Sequence, residues 1–362
     1  MIIKLGEVAS FVNGYAFKPS DWSDNGMPII RIQDLTGNSY KMNRYNGDIE
    51  QKYKVQDGDV LISWSASLGV YVWHGENAVL NQHIFKVVFD KIDVSKDYFV
   101  YQIEYRLGNA ASEAHGATMK HLTKSVFNAL PFYLPKKEEQ EKIAKVLNKI
   151  TELTNKTRKQ AKLLDDIIKS RFIELFGDPV SNSRNWEMSE LGSLTSIGSS
   201  KRIFEKEYVS EGIPFYRTKE IVELAKGNSI STELYITEAR YNELKKQYGV
   251  PNEGDLLLSA VGTIGVIWIV DGKNDFYFKD GNLIRIDRSE KFNSIYMKNL
   301  LEFLICEYKK QMSSGTAYAA LTISGLTKMK VYDVPKNLQN QFADFVAHVD
   351  KSKHFCEMEV AA

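Results

Sequence analysis

Apolar positions in this chain follow two rhythms. Short β-branched and aromatic runs, Asp59-Val60-Leu61-Ile62-Ser63-Trp64 and Gly69-Val70-Tyr71-Val72-Trp73, flank a turn and predict two strands. The runs Asp255-Leu256-Leu257-Leu258-Ser259 and Gly265-Val266-Ile267-Trp268-Ile269-Val270 predict the same pair later in the chain. Gly58 and Gly254 stand between acidic residues just ahead of each pair, where a turn with positive φ favours glycine. Helical spacing comes next. Phe99, Val100, Ile103 and Leu107 predict a helix over 97–107, and Leu300, Leu301, Leu304, Ile305 and Tyr308 one over 295–312. Each half then closes with a short apolar strand ending in proline, Leu130-Pro131-Phe132-Tyr133-Leu134-Pro135 and Val331-Tyr332-Asp333-Val334-Pro335.

This parallel extends to the letters. Leu5-Gly6 returns as Leu191-Gly192, and Gly26-Met27-Pro28-Ile29-Ile30-Arg31 returns as Gly212-Ile213-Pro214-Phe215-Tyr216-Arg217, both at an offset of 186. Asp57–Ser63 matches Glu253–Ser259 at 196, and Gly116 and Leu122-Thr123 match Gly315 and Leu321-Thr322 at 199. An offset that grows stepwise in the same order marks two copies of one domain separated by short insertions. The period is too long for a solenoid.

Each closing proline leads into a segment of another kind. Residues 136–176 hold no Gly or Pro over 41 positions and stop at Gly177-Asp178-Pro179. Ile143, Leu147, Ile150, Thr154, Thr157, Ala161, Leu164, Ile168 and Leu175 recur in steps close to four and three, a heptad seam on a helix roughly 60 Å long. After Pro335, Phe342, Phe345, Val349 and Cys356 repeat that spacing over the 27 positions of 336–362. One apolar seam is not stable alone, so the two helices are expected to pair antiparallel and hold the copies apart. The expected division is 1–135, 136–178, 179–335 and 336–362, an α+β chain of two similar, mostly β domains separated by paired coiled-coil helices.

Composition excludes more than it selects. The 362 residues carry 47 Lys and Arg against 46 Asp and Glu, a net charge of +1, so nothing global advertises a nucleic-acid binder. With 43% hydrophobic and 26% charged residues the chain has the balance of an ordinary globular protein. No run of about 18 apolar residues is present, and the first seven residues lack a signal-peptide core. Two cysteines, Cys306 and Cys356, supply neither a disulfide framework nor a zinc site, and a reducing cytoplasm is the expected location. Neither a Gly-x-Gly-x-x-Gly nor a P-loop motif occurs. Glu50-Gln51-Lys52 and Glu243-Leu244-Lys245 lack the upstream Asp a metal-dependent nuclease needs and read as surface charge. His74, His83, His115 and His121 have no histidine counterparts in the second copy. Gly262-Thr263-Ile264-Gly265 reads as a hairpin turn rather than a backbone clamp. An autonomous enzyme is not expected.

The chain resembles the specificity subunits of type I restriction–modification systems over essentially its whole length. The likeness rests on Leu5-Gly6-Glu7-Val8 with Gly26–Arg31, Gly58-Asp59-Val60-Leu61 and Gly116-Ala117-Thr118-Met119-Lys120-His121-Leu122-Thr123. It rests also on Pro135-Lys136-Lys137-Glu138-Glu139-Gln140 with Ile143, and on Phe172-Ile173-Glu174-Leu175-Phe176-Gly177-Asp178-Pro179 joined to the Trp186–Gly192 start. The resemblance implies a pseudo-two-fold, non-catalytic subunit. Each copy would be a target-recognition domain reading half of a split, asymmetric sequence in double-stranded DNA. The helix pair would set the spacing and dock two methyltransferase subunits, and restriction subunits would join through the complex. No cofactor would be bound by this chain: S-adenosylmethionine would sit on the methyltransferase subunits, ATP and Mg on the restriction subunits. A duplicated scaffold that recognises polypeptide is the alternative. The second helix, some fourteen residues shorter than the first, leads to an expectation of reduced methyltransferase assembly or of self-association.

Base-reading groups should lie in loops and be Arg, Lys, Asn, Gln, Ser, Thr or His. The candidates are Arg31, Gln33, Asn38, Lys41, Asn81, Gln82, Thr118, Lys120 and His121 in the first copy. In the second they are Lys201, Arg202, Arg217, Lys219, Lys279, Ser314 and Thr316. A helix-capping turn accounts for the Gly116–His121 loop nearly as well, and a structural ion pair accounts for Arg31 and Arg217 as well as a phosphate contact. Trp64, Trp73 and Trp268 fall within strand patterns and are assigned to the core. The helix-pairing and subunit-interface set is Ile143, Leu147, Ile150, Ala161, Leu164, Ile168, Leu175, Phe342, Phe345 and Val349.

Overall fold

A computed structural model describes residues 1–39, 41–65, 67–113, 124–312 and 321–361. The chain divides into two compact units, Met1–Asn155 and Lys156–Ala362. The division falls inside the 40-residue helix Lys137–Phe176, so each unit owns part of that helix.

In the first unit an antiparallel sheet runs in the order Ser10–Asn13, Ile84–Val88, Val60–Ser63 and Gly69–Val72. Val60–Ser63 has a neighbour on each side and all four residues buried, which explains its unbroken apolar run. A second sheet orders Arg44–Tyr45, Met27–Ile30, Ala78–Leu80 and Lys54–Val55, with Met27–Ile30 parallel to Ala78–Leu80. A third, small sheet ties the start of the copy to its end: Ile2–Lys4 pairs antiparallel with Pro131–Tyr133. Helix Lys96–Glu113 covers the first sheet, and Phe11, Phe85, Phe99, Phe127 and Phe132 fill the core between them.

The second unit repeats this plan. Its sheets order Ile197–Gly198, Leu283–Ile286, Leu256–Ser259 and Ile267–Ile269, then Tyr235–Ile236, Ile213–Tyr216 and Tyr277–Phe278. Ile213–Tyr216 and Tyr277–Phe278 are again parallel, and Met188–Glu190 again pairs with Lys330–Tyr332. Gly58 and Gly254 adopt φ of 82° and 87°, as their place ahead of each strand pair leads one to expect. Ser63 and Ser259, both fully buried, each donate their hydroxyl to a carbonyl four residues on, Ser67 and Thr263. Where the offset rises by ten, the first copy has the 3-10 turn Gln51–Tyr53 and edge strand Lys54–Val55. The second has the helix Glu238–Tyr248, capped by Thr237 at its start and by Gly249 at φ 72°. That insertion is a folded element, not a loop.

The long helices begin with a repeated device. Gln140, 2% exposed, accepts from the backbone N–H of Ser95 at 2.9 Å and donates to the Pro135 carbonyl at 2.9 Å. Gln339, also 2% exposed, accepts from the backbone N–H of Asn293 at 2.7 Å and donates to the Val334 carbonyl at 2.8 Å. Ser95 and Asn293 immediately precede helices Lys96–Glu113 and Ser294–Met312, so each glutamine locks a helix start to the strand exit.

Within the second unit, helix Lys336–Ala361 runs antiparallel to the C-terminal part of the long helix. Phe342 meets Phe172 and Phe176, whereas Lys353 pairs with Asp165. Ile168, Phe342 and Val349 are buried there, with Leu164, Leu175 and Phe345 packed on the rim of the same core. Ala161 is half-buried. The sequence seam passed over Phe172 and Phe176, which are completely buried. Here the apolar face advances 168, 172, 176 in steps of four, because the helix leaves a two-helix seam to dock on Tyr296 and Phe303 as well. Three other expected seam residues are corrected. Ile143 packs into the first unit's own core, and Leu147 lies beside Tyr98 and Tyr101 of helix Lys96–Glu113. Ile150 is 54% exposed. Asn148 fixes that arrangement by hydrogen bonds with Asp97 and Tyr101.

Candidate nucleic-acid interface

In each copy three backbone segments meet at the end of the parallel strand pair. In the first, the N–H of Tyr15 donates to the Leu80 carbonyl at 2.7 Å, and that of Asn81 donates to the Ile30 carbonyl at 3.1 Å. Gly14 passes so close that a Cβ there would stand 2.2 Å from the Asn81 carbonyl oxygen. In the second copy, Ser200 donates its hydroxyl to the Phe278 carbonyl at 2.6 Å. Lys201 donates its N–H to the Tyr277 hydroxyl at 2.8 Å, and Lys279 donates its N–H to the Tyr216 carbonyl at 2.9 Å. Residues 15–22 therefore correspond to 201–208, and the turn 81–83 corresponds to 279–282.

This correspondence brings several sequence candidates together. Asn81 and Gln82 lie on the first copy's turn, and Lys279 on the second's. Lys201 and Arg202 stand beside Lys279 on the adjoining segment. Arg202 and Lys279 line an open groove of about 610 Å³ with Phe204, Tyr208 and Asp280. Arg202 Nε donates to Asp280 Oδ2 at 2.8 Å, and the Lys201 ammonium lies 5.6 Å from the centre of the Tyr248 ring. Lys219 is exposed in a neighbouring groove with Thr218, Gly262, Thr263 and Asn282.

Arg31 and Arg217 both follow a strand of the parallel pair and cap the helix that comes next. Their N–H groups donate to Asp34 and Glu220, each at 2.8 Å. Beyond that they differ. Arg217 Nη2 lies 2.9 Å from Glu220 Oε1. Burial raises the pKa of the Glu220 carboxyl, but the Arg217 side chain and backbone donors outweigh it and hold it below its ordinary value. Arg217 is thus a structural ion pair. Arg31 instead lays its guanidinium 4.6 Å from the centre of the Trp22 ring. Gln33 is exposed on the first turn of Ile32–Leu35, Asn38 bonds locally to Thr36, and exposed Lys41 pairs with Asp24 at 3.0 Å. Thr118, Lys120, His121, Ser314 and Thr316 fall outside the described residues.

Sequence reasoning missed an aromatic group beside Asn81. Phe17 sits between Tyr15 and Tyr45, with ring centres 5.0 and 5.2 Å apart, and Tyr53 lies 5.5 Å from Tyr15. Tyr15 and Trp22 are 40% and 46% exposed. Tyr15 and Phe17 flank a single alanine directly after Gly14, a spacing that could have marked them. Of the tryptophans assigned to the core, Trp268 is buried, and Trp64 and Trp73 are half-buried and packed against the first copy's cores. The Glu-x-Lys triplets are surface pairs: Lys52 with Glu50, and Glu243 with Arg240.

The duplication has a counterpart among known families. The model of the type I restriction modification DNA specificity domain matches residues 1–164 and again 183–355. The chain belongs to this family. A putative type I restriction enzyme specificity subunit of Haemophilus influenzae is 28% identical over 236 residues, covering 64% of this chain and 58% of that protein. The EcoBI specificity subunit of Escherichia coli is 24% identical over 296 residues, covering 74% and 61%. The chain therefore spans about three fifths of the length of these two relatives. The MjaIX specificity subunit of Methanocaldococcus jannaschii is 26% identical over 375 residues, covering 94% of this chain and 84% of that one. In fold, the chain is similar to the S subunit of a type I restriction–modification system from M. genitalium, with a TM-score of 0.54 and 16% identity. That likeness covers 100% of this chain and 92% of the other. Among the described residues, no helix is long and apolar enough to cross a membrane.

Proposed function

We propose that the chain is the DNA-reading, non-catalytic subunit of a type I restriction–modification complex, in which each specificity domain reads one half of a bipartite, asymmetric duplex sequence. One observation carries this reading: the two copies share a scaffold, apart from the edge strand Lys54–Val55 that helix Glu238–Tyr248 replaces, yet present different chemistry at its equivalent rim. Tyr15, Phe17, Asn81 and Gln82 occupy the first copy's rim, and Lys201, Arg202, Phe204, Tyr208 and Lys279 the second's. A scaffold kept while its rim diverges suits two unlike half-sites.

In this reading the paired helices set the half-site separation and dock two methyltransferase subunits, which carry S-adenosylmethionine. Restriction subunits, with ATP and Mg, join through them, in the cytoplasm. With a net charge of only +1, the chain leaves part of the phosphate neutralisation to its partners. The test is a salt titration of the purified full chain on a fluorescent duplex. The logarithm of affinity should fall linearly with that of salt concentration, by about 0.9 per phosphate contact. Absence of duplex binding even at low salt contradicts the reading and favours the polypeptide-binding alternative.

A further inference from the structure

We propose that Arg202 reads a guanine in the half-site of the second copy and that Asp280 is its positioning residue; this rests on the DNA-reading assignment above. Arg202 stands on the segment that crosses the turn 279–282, with its side chain 65% exposed. Asp280 is 18% exposed and anchored in that turn, where Gly281 takes φ 71°. The carboxylate engages the guanidinium through Nε, at 2.8 Å. The two terminal amino groups, which form the fork of an arginine, have no partner among the described residues. An arginine held by its Nε edge loses little rotamer freedom on binding and presents two parallel donors. Guanine offers the matching pair of acceptors, O6 and N7, in the major groove.

The surroundings favour a cation reader in this copy. Lys279 lines the same open groove as Arg202, together with Glu205 and Asp280, and Lys201 precedes Arg202 in the chain. At the equivalent place in the first copy the residue is Ala16, and the turn carries Asn81 and Gln82. The guanine requirement therefore belongs to one half-site only.

The experiment is selection of randomised duplexes by the full chain, read by sequencing, for the unmodified protein and three variants. The unmodified chain should enrich a guanine at a fixed place in one of two half-sites. Arg202→Ala should lower the preference for that guanine by roughly 5- to 150-fold and leave the other half-site unchanged. Arg202→Lys keeps the charge without the fork, so affinity for unselected duplex should persist while the preference falls. Asp280→Ala should likewise reduce the preference without reducing that affinity, which a merely structural role would not produce. Because Arg202 is largely exposed, its two variants should keep the parent's thermal unfolding profile. A variant that binds DNA and selects the same guanine overturns the proposal. So does Arg202→Ala weakening all duplexes equally with a shallower salt slope, the mark of a phosphate contact. Failure of the unmodified chain to select any sequence instead overturns the DNA-reading assignment itself.

Discussion

Replacing Gln140 or Gln339 by methionine is expected to destabilise each copy by a similar amount. Both side chains are 2% exposed, and each satisfies one backbone N–H and one backbone carbonyl, at 2.7–2.9 Å. Methionine matches glutamine closely in volume, so packing is little changed. The loss is then electrostatic: two buried polar groups are stranded at about 1–3 kcal/mol each. The total is about 2–6 kcal/mol in either copy, and more for Gln→Glu, which keeps the acceptor but buries a charge and removes the donor. Amide hydrogen exchange resolves each copy separately, avoiding a two-state assumption for a two-unit chain. Gln339→Met should speed exchange in 293–300 and leave 95–102 unchanged, and Gln140→Met should do the reverse. A loss under about 0.5 kcal/mol in either copy would refute the proposed locking role.

Phe172 is completely buried against Phe176, Tyr296, Phe303 and Phe342. Phe172→Ala should therefore cost the second unit about 3–5 kcal/mol by chemical denaturation, while exchange in the first sheet, residues 10–88, stays at its parental rate. Glu220 has a depressed pKa, so its contribution to stability is fully present above its ordinary value of 4.5 and is lost as pH falls through the folded-state value. Unfolding of the second unit should consequently be acid-sensitive below pH 4.5, and Glu220→Gln should flatten that dependence; an unchanged profile would exclude the Arg217 pair as its source. Ile150→Gln, at a position 54% exposed, should change stability by no more than about 0.5 kcal/mol.

The duplication was legible because the repeated strings sit where backbone geometry is exacting. Gly58 and Gly254 need positive φ, and the Val60–Ser63 and Leu256–Ser259 strands are buried along their whole length. The long helix was legible from its missing Gly and Pro, but the partner of each turn was not. A heptad seam says that a face is apolar, not what covers it. Ile143 and Leu147 pack within the first copy, and Phe172 and Phe176 turn onto the second copy's core. At the candidate site, residue type marked Asn81 and Gln82 in the first copy and Lys201, Arg202 and Lys279 in the second as surface readers, and within each copy the fold sets them at the end of the parallel strand pair. It could not mark Tyr15 or Trp22, because an aromatic ring suits core and rim equally, nor Asp280, whose role arises only from its approach to Arg202 across 78 positions. Arg31 and Arg217 looked alike in sequence, and they part because Glu220 reaches back to its arginine whereas Trp22 takes the other.

The central claim, that two linked readers engage two separate half-sites, is tested most directly by affinity as a function of spacer length. Duplexes carrying the selected half-sites, separated by a spacer varied one base pair at a time, are titrated with the full chain at fixed salt. A sharp optimum is expected, with affinity falling to the single-half-site level a few base pairs to either side. Equal affinity at every spacer length, or full affinity from one half-site alone, would contradict it.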